Sequence, residues 1–274
     1  MSLPVFLAVL LSALLHAGWN VLARQRSDRV LATVSIAGAA ALLAFPTLFW
    51  LPLPAPASWP WLGASALVQS LYYLLLGLAY QRTDLSLVYP LMRGTAPMLT
   101  TLVSVLLLGQ ALPATGWVAI TLLCAGVAWM GGRQRLCDIG LPMLLAAVIA
   151  GYTLLDARGV RLSGQVASYA MWLFFLSALP LPLWMSLLRT RGLGAHLRGY
   201  WRTAVVGGAC TLGAYAIVLW AMTRSPVAQV AALREVSILF ALLLSALLTR
   251  ERPGARRWWA AGLIVAGAGL LHLA

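Results

Sequence analysis

The chain is a succession of apolar runs, each about as long as a bilayer is thick, joined by loops too short to hold a domain. A membrane-spanning helix needs about 20 mostly apolar residues. Such runs fall at 3–23, 30–50, 59–80, 85–108, 115–130, 139–155, 166–188, 200–222, 227–248 and 258–273. That predicts about ten helices, with the fifth, sixth and tenth near the short limit for a span. The runs are continuous, without the in-out alternation of a barrel strand, so a β-barrel is excluded. Of the 274 residues 62% are hydrophobic and 9% charged, and the mean hydropathy is +0.91. A water-soluble enzyme, a receptor with an attached catalytic module and a secreted disulfide scaffold are all excluded by that composition. The fold class expected is an all-α integral membrane protein.

The charge of +13 arises from 19 basic residues, all of them Arg, against 6 acidic ones. In a soluble protein this balance would suggest nucleic acid. Here the arginines lie between apolar runs, where membrane lipid and topology account for them, and no nucleic acid partner is expected. The loops after helices one, three, five, seven and nine carry Arg24, Arg26, Arg29, Arg82, Arg133, Arg135, Arg189, Arg191, Arg198, Arg202, Arg250, Arg252, Arg256 and Arg257. The opposite loops carry only Arg158, Arg161 and Arg224. The arginine-rich side should face the cytoplasm of a cell inner (plasma) membrane, which puts both termini outside and Cys137 inside. Cys124 and Cys210 fall within spans, and no cysteine pair forms a metal or disulfide motif. The first apolar run lacks a basic leader and a cleavage site, so it reads as a retained span.

An offset of 142 residues places Tyr73 on Tyr215, Arg82 on Arg224, Leu91 on Leu233 and Trp117 on Trp259, so helices three to five echo helices eight to ten. An offset of 133 places Ala17 and Gly18 on Ala150 and Gly151, and Trp19 on Tyr152. The unit is five helices, residues 1–135 and 136–274. Because five is odd, the second copy enters the membrane upside down, and inverted repeats are characteristic of secondary transporters that bind solute near the midplane.

Particular stretches sharpen this reading: His16-Ala17-Gly18-Trp19-Asn20 in helix one, Leu85-Ser86-Leu87-Val88-Tyr89-Pro90-Leu91 with Pro97 in helix four, and the helix endings Leu108-Gly109-Gln110 and Thr249-Arg250-Glu251. In these the chain resembles the EamA family of the drug/metabolite transporter superfamily, over its whole length. Such endings usually read Gly-Glu; here Gln110 replaces the acid and Arg250 the glycine. The resemblance implies two inverted five-helix repeats and export or uptake of a small metabolite without ATP.

Ionisable groups within a bilayer are costly, about 2.5–3.5 kcal/mol each on insertion scales, so each calls for a reason. Arg93 lies in helix four, Arg234 and Glu235 in helix nine, and the 142 offset superposes Arg93 on Glu235. The two are expected to face each other across the interface of the halves. Glu235 reads as the one clear mid-membrane carboxylate and the proton carrier. Tyr89 and Arg93 share a helical face, and Pro90 and Pro97 should bend helix four where it lines a cavity.

The expected substrate site comprises His16, Trp19, Asn20, Tyr73, Tyr89, Arg93, Tyr152, Tyr215 and Glu235, with Gln69, Tyr72, Trp172, Trp220 and Gln229 as further wall candidates. Trp59, Trp61, Trp117, Trp201, Trp258 and Trp259 lie near helix ends, as interfacial anchors do. Gly262, Ala266, Gly267 and Gly269 permit close helix packing or a homodimer.

The expected function is a secondary transporter exporting a small amphipathic metabolite with an anionic or zwitterionic group, by alternating access around a central cavity. A membrane enzyme is disfavoured: there is no HExxH, no GxSxG and no lysine for a Walker motif. No cofactor or metal is expected. The remaining alternatives are a lipid flippase and a non-transporting scaffold.

Overall fold

The computed structural model describes residues 1–24, 29–82, 85–109, 111–131, 139–187, 192–249 and 254–273, and every regular element among them is helical. In the first half α1 spans Leu3–Arg24, α2 Arg29–Thr47, α3 Trp59–Arg82, α4 Leu85–Leu108 and α5 Ala114–Gly131. In the second half α6 spans Gly140–Ser163, α7 Val166–Ala178, α8 Leu181–Leu187, α9 Leu193–Met222, α10 Val227–Leu233, α11 Val236–Thr249 and α12 Ala255–Leu273. Cys137, Gln110, Arg250 and Glu251 lie outside the described residues. Six segments among those described are long and apolar enough to cross a membrane: Leu3–Leu22, Val30–Thr47, Gly140–Ser163, Val166–Leu187, Leu193–Met222 and Val227–Leu244. The protein is therefore a multi-pass membrane protein. Its outer surface is correspondingly apolar, with Leu3, Leu7, Leu11 and Leu14 exposed along one stripe of α1 and Trp258 and Trp259 exposed on α12.

Helix ends follow local chemistry. Pro60 occupies the first turn of α3, where a missing N–H costs nothing. Gly164 ends α6 with φ +64°, a left-handed conformation that residues with a Cβ rarely adopt. Two expected spans are interrupted. Prolines at 180 and 182 separate α7 from α8. Between α10 and α11 the chain makes a turn at Arg234 and Glu235, where Glu235 N–H bonds Ala232 O and Ser237 N–H bonds Arg234 O, three residues back rather than four. By contrast, α4 is helical past Pro90 and Pro97, the positions at which the sequence predicts a bend. Helix α6 continues to Ser163, eight residues beyond the apolar run at 139–155. That corrects the assignment of Arg158 and Arg161 to a loop: both are helical, and Arg161 donates from Nε to Met222 O at 2.9 Å, anchoring the end of α9.

Pairing between the halves obeys one exchange rule. Helix α5 packs on α12, and α2 on α7; α1 packs on α9 as α6 packs on α3; α4 packs on α6 as α11 packs on α1. Where α5 and α12 cross, glycine sets the distance. A Cβ on Gly267 would lie 2.8 Å from Ala119 O and from Leu123 N, and one on Gly126 would lie 2.8 Å from Ala260 O, whereas Gly262 and Gly269 face open space. Of the small residues in α12, Gly267 is thus committed to contact within the chain. Gly267→Val should destabilise the purified protein by about 1–3 kcal/mol through overpacking, and Gly262→Val should leave its melting temperature unchanged; equal effects would contradict this packing.

Candidate functional site

The ionisable side chains cluster where the broken helix meets the other half. Arg93 on α4 places Nε 2.9 Å from Glu235 Oε2, at the turn between α10 and α11. Arg93 Nη2 also donates to Ser237 Oγ at 3.3 Å. All three residues are buried. The facing of Arg93 and Glu235 expected from the repeat offset is therefore present. Attraction alone rarely repays the desolvation of two buried charges; here the guanidinium's remaining donors are partly met by Ser237.

Beside this pair lies a cavity of about 70 Å³, large enough to hold water. Its walls are His16 and Trp19 of α1, Thr33, Ile36 and Ala37 of α2, Gln69, Tyr72, Tyr73 and Leu76 of α3, Arg93 of α4, Tyr152 of α6, Phe174 of α7, Thr211 and Tyr215 of α9, and Arg234. Both halves contribute. Rings run around it: Tyr72 to Tyr152 at 6.0 Å, Tyr152 to Tyr215 at 6.3 Å and Tyr215 to Phe174 at 6.1 Å between centroids. On the opposite wall Trp19 Nε1 donates to His16 Nδ1 at 3.2 Å, the two rings standing edge to face. In that bond the lone pair of His16 Nδ1 is the acceptor.

Six of the nine residues expected at the site line this cavity: His16, Trp19, Tyr73, Arg93, Tyr152 and Tyr215. Asn20 is buried behind them, its Nδ2 donating to His16 O at 2.8 Å. Glu235 stands behind Arg93, and the side chain of Tyr89 lies outside the described residues. Gln69 and Tyr72 join the wall, but Trp172, Trp220 and Gln229 do not. Trp172 packs edge-on against Trp59, and Trp220 carries the Arg224 guanidinium over its face.

One functional candidate escaped the sequence reading. Asp156, in the extended part of α6, is fully buried, which corrects the reading of Glu235 as the one mid-membrane carboxylate. Gln69 Nε2 donates to its Oδ2 at 2.9 Å and Tyr169 OH to its Oδ1 at 3.1 Å. Tyr215 OH also donates to Oδ2. Gly159 makes room for this arrangement, since a Cβ there would collide with the Tyr169 ring. The available signal was spacing: Asp156 follows the cavity residue Tyr152 by four, on the same helical face. Run length hid it, because Asp156, Arg158 and Arg161 together look like the start of a loop.

Such a site, polar and ionic at the centre of an apolar helical bundle, suits solute binding in a membrane. The chain matches the model of the EamA-like transporter family twice, over residues 3–132 and 139–273. No curated protein matches the sequence. Among solved structures, one described as the crystal structure of a protein aligns over 100% of this chain and 98% of its own, with a TM-score of 0.74 at 19% identity. At that identity the likeness is one of fold. With the family model matched across almost its full length in two successive copies, the chain belongs to the EamA-like transporter family.

Proposed function

We propose that the protein is a secondary transporter of the inner (plasma) membrane, with ten spans in two inverted five-helix repeats, residues 1–135 and 136–274. In this reading it exports a small amphipathic metabolite bearing an anionic or zwitterionic group. Counting α7 with α8 and α10 with α11 as single spans gives the ten, and the exchange rule in helix packing supports the repeat. The observation that carries the function is the buried Arg93–Glu235 pair, which joins the halves at a broken helix beside an aromatic cavity. The tightened turn at Arg234 and Glu235 brings two charged side chains to the interface of the repeats, where a solute would cross.

In alternating access the halves rock about the cavity, and the turn at Arg234 and Glu235 is the natural place for the bend. A proton on Glu235 would dissolve its pair with Arg93 and free the guanidinium for a solute anion, which couples flux to protons. An apolar groove of about 570 Å³ between α2, α7, α8 and α9 bears on the flippase alternative. Among the described residues it is lined by Leu42, Phe45, Phe175, Leu179 and Trp201 and others, none of them charged. It fits an acyl chain of the surrounding bilayer.

The test is to screen the purified protein for solutes that raise its melting temperature, then measure flux of the best one in proteoliposomes under an imposed pH gradient. The gradient should drive accumulation, and Glu235→Gln should abolish that coupling. Flux indifferent to the gradient, with Glu235→Gln at full rate, would replace proton coupling by facilitated diffusion.

A further inference from the structure

Two arginines face the cavity, and they are in different states. Arg93 is neutralised by Glu235 at 2.9 Å. Arg234 is 8% exposed and lines the cavity. Among the described residues its guanidinium has neither an ion pair nor a hydrogen bond; its one contact of this kind is with the face of Tyr215, whose ring centroid lies 5.2 Å from Cζ. A ring face attracts the positive charge but accepts few of the five N–H donors of a guanidinium. Unmet donors on a cation in a low-dielectric site make a strong receptor for an acceptor-rich anion.

The second buried acid near the site, Asp156, is separated from Arg234 by Tyr215. Asp156 accepts bonds from Gln69, Tyr169 and Tyr215, all neutral donors. Tyr215 therefore stands between the charges, Arg234 over its ring and Asp156 at its hydroxyl. Neither Asp156 nor Glu235 lines the cavity, so among the described residues an incoming ammonium group would meet two arginines and no carboxylate. The other walls near Arg234, Tyr152, Phe174 and the ring of Tyr215, suit an apolar remainder.

We infer that Arg234 anchors the carboxylate of an organic monoanion in this cavity, and that Asp156 is its counter-charge while the cavity is empty. This rests on reading the cavity as the transport site, and it narrows the substrate from anionic or zwitterionic to monoanionic. The planar fork of Arg234 meets both carboxylate oxygens in a geometry that a lysine cannot reproduce. Arg93 stays paired with Glu235 until a proton on Glu235 releases it as a second positive group at the site.

The experiment is thermal unfolding of the full-length purified protein with four probes of matched chain and different charge: butyrate, butyramide, butylamine and 4-aminobutyrate. Butyrate should raise the melting temperature most, through binding to the folded state alone. Arg234→Gln should weaken the butyrate response at least about tenfold, as expected for loss of a charge-assisted bidentate contact, and Arg234→Lys should restore part of it. Asp156→Asn should strengthen it, because the competing negative charge is gone while an acceptor oxygen for the neighbouring donors remains. This opposite sign is what a merely structural role for either residue would not produce. Preference for butylamine or 4-aminobutyrate, equal binding of butyramide, or an undiminished butyrate response in Arg234→Gln would each overturn the anion site while leaving a binding cavity in place. If none of the four probes changes the melting temperature, the anion site is also refuted, and the transport reading is then decided separately by solute exchange in proteoliposomes.

Discussion

Arg93→Gln and Glu235→Gln are each expected to cost about 3–5 kcal/mol of stability, because each leaves a charge buried without its partner. The double change should cost less than the sum of the two. Both residues are buried, with nitrogen and oxygen 2.9 Å apart, so neither charge left behind can recover bulk water. Ser237 can shift toward a lone Arg93, which makes Glu235→Gln the milder of the two. Unfolding midpoints in detergent for wild type, both single variants and the double variant complete the cycle. Additive effects, within the few tenths of a kcal/mol usual for independent sites, would show that the pair does not couple the halves.

Asp156→Ala should be comparably damaging, for a different reason. It strands donors on Gln69, Tyr169 and Tyr215, among others, which converge on the carboxylate from α3, α7 and α9. A buried donor left unmet costs about 1–3 kcal/mol, so the total should reach about 3 kcal/mol or more. Tyr169→Phe removes a single donor and should cost about 1 kcal/mol. The same unfolding assay checks both; an Asp156→Ala variant as stable as wild type would mean that the carboxylate does not tie these helices together.

The contrast between these two acids shows what the sequence made legible. Arg93 and Glu235 interrupt apolar runs and superpose under the repeat offset, so both their burial and their pairing could be read from spacing. The walls provided by His16, Trp19, Tyr73, Tyr152 and Tyr215 followed from the same logic, since polar and aromatic groups at mid-span turn away from lipid. Asp156 sits among arginines at the end of an apolar run, and its contacts with Gln69, Tyr169 and Tyr215, like that of Arg161 with Met222, are tertiary and leave no mark in local spacing. The interruption presents the reverse case. Prolines in α4 point to a bend, and α4 remains helical through both, since proline is tolerated where neighbouring groups take up the freed carbonyls. The break falls instead at Arg234 and Glu235, where a sequence without proline or glycine gives no local warning. Gly267 was legible as a small packing residue, but not which partner it met, because small-residue spacing alone does not distinguish contact within a chain from contact between chains.

The central claim is that one cavity, shared by the two halves, carries solute across the membrane by opening to each side in turn. Counterflow in proteoliposomes tests it most directly. Vesicles are loaded with a high concentration of an unlabelled solute that stabilises the protein, then diluted into a trace of the same solute carrying a label, with no ATP and no ion gradient. A carrier exchanges bound solute faster than it returns empty, so the label should rise transiently above its equilibrium level inside and then decay, and Glu235→Gln with Arg93→Gln should abolish the overshoot. Label that enters at the protein-free rate, or that climbs to equilibrium without an overshoot, would contradict alternating access about this site.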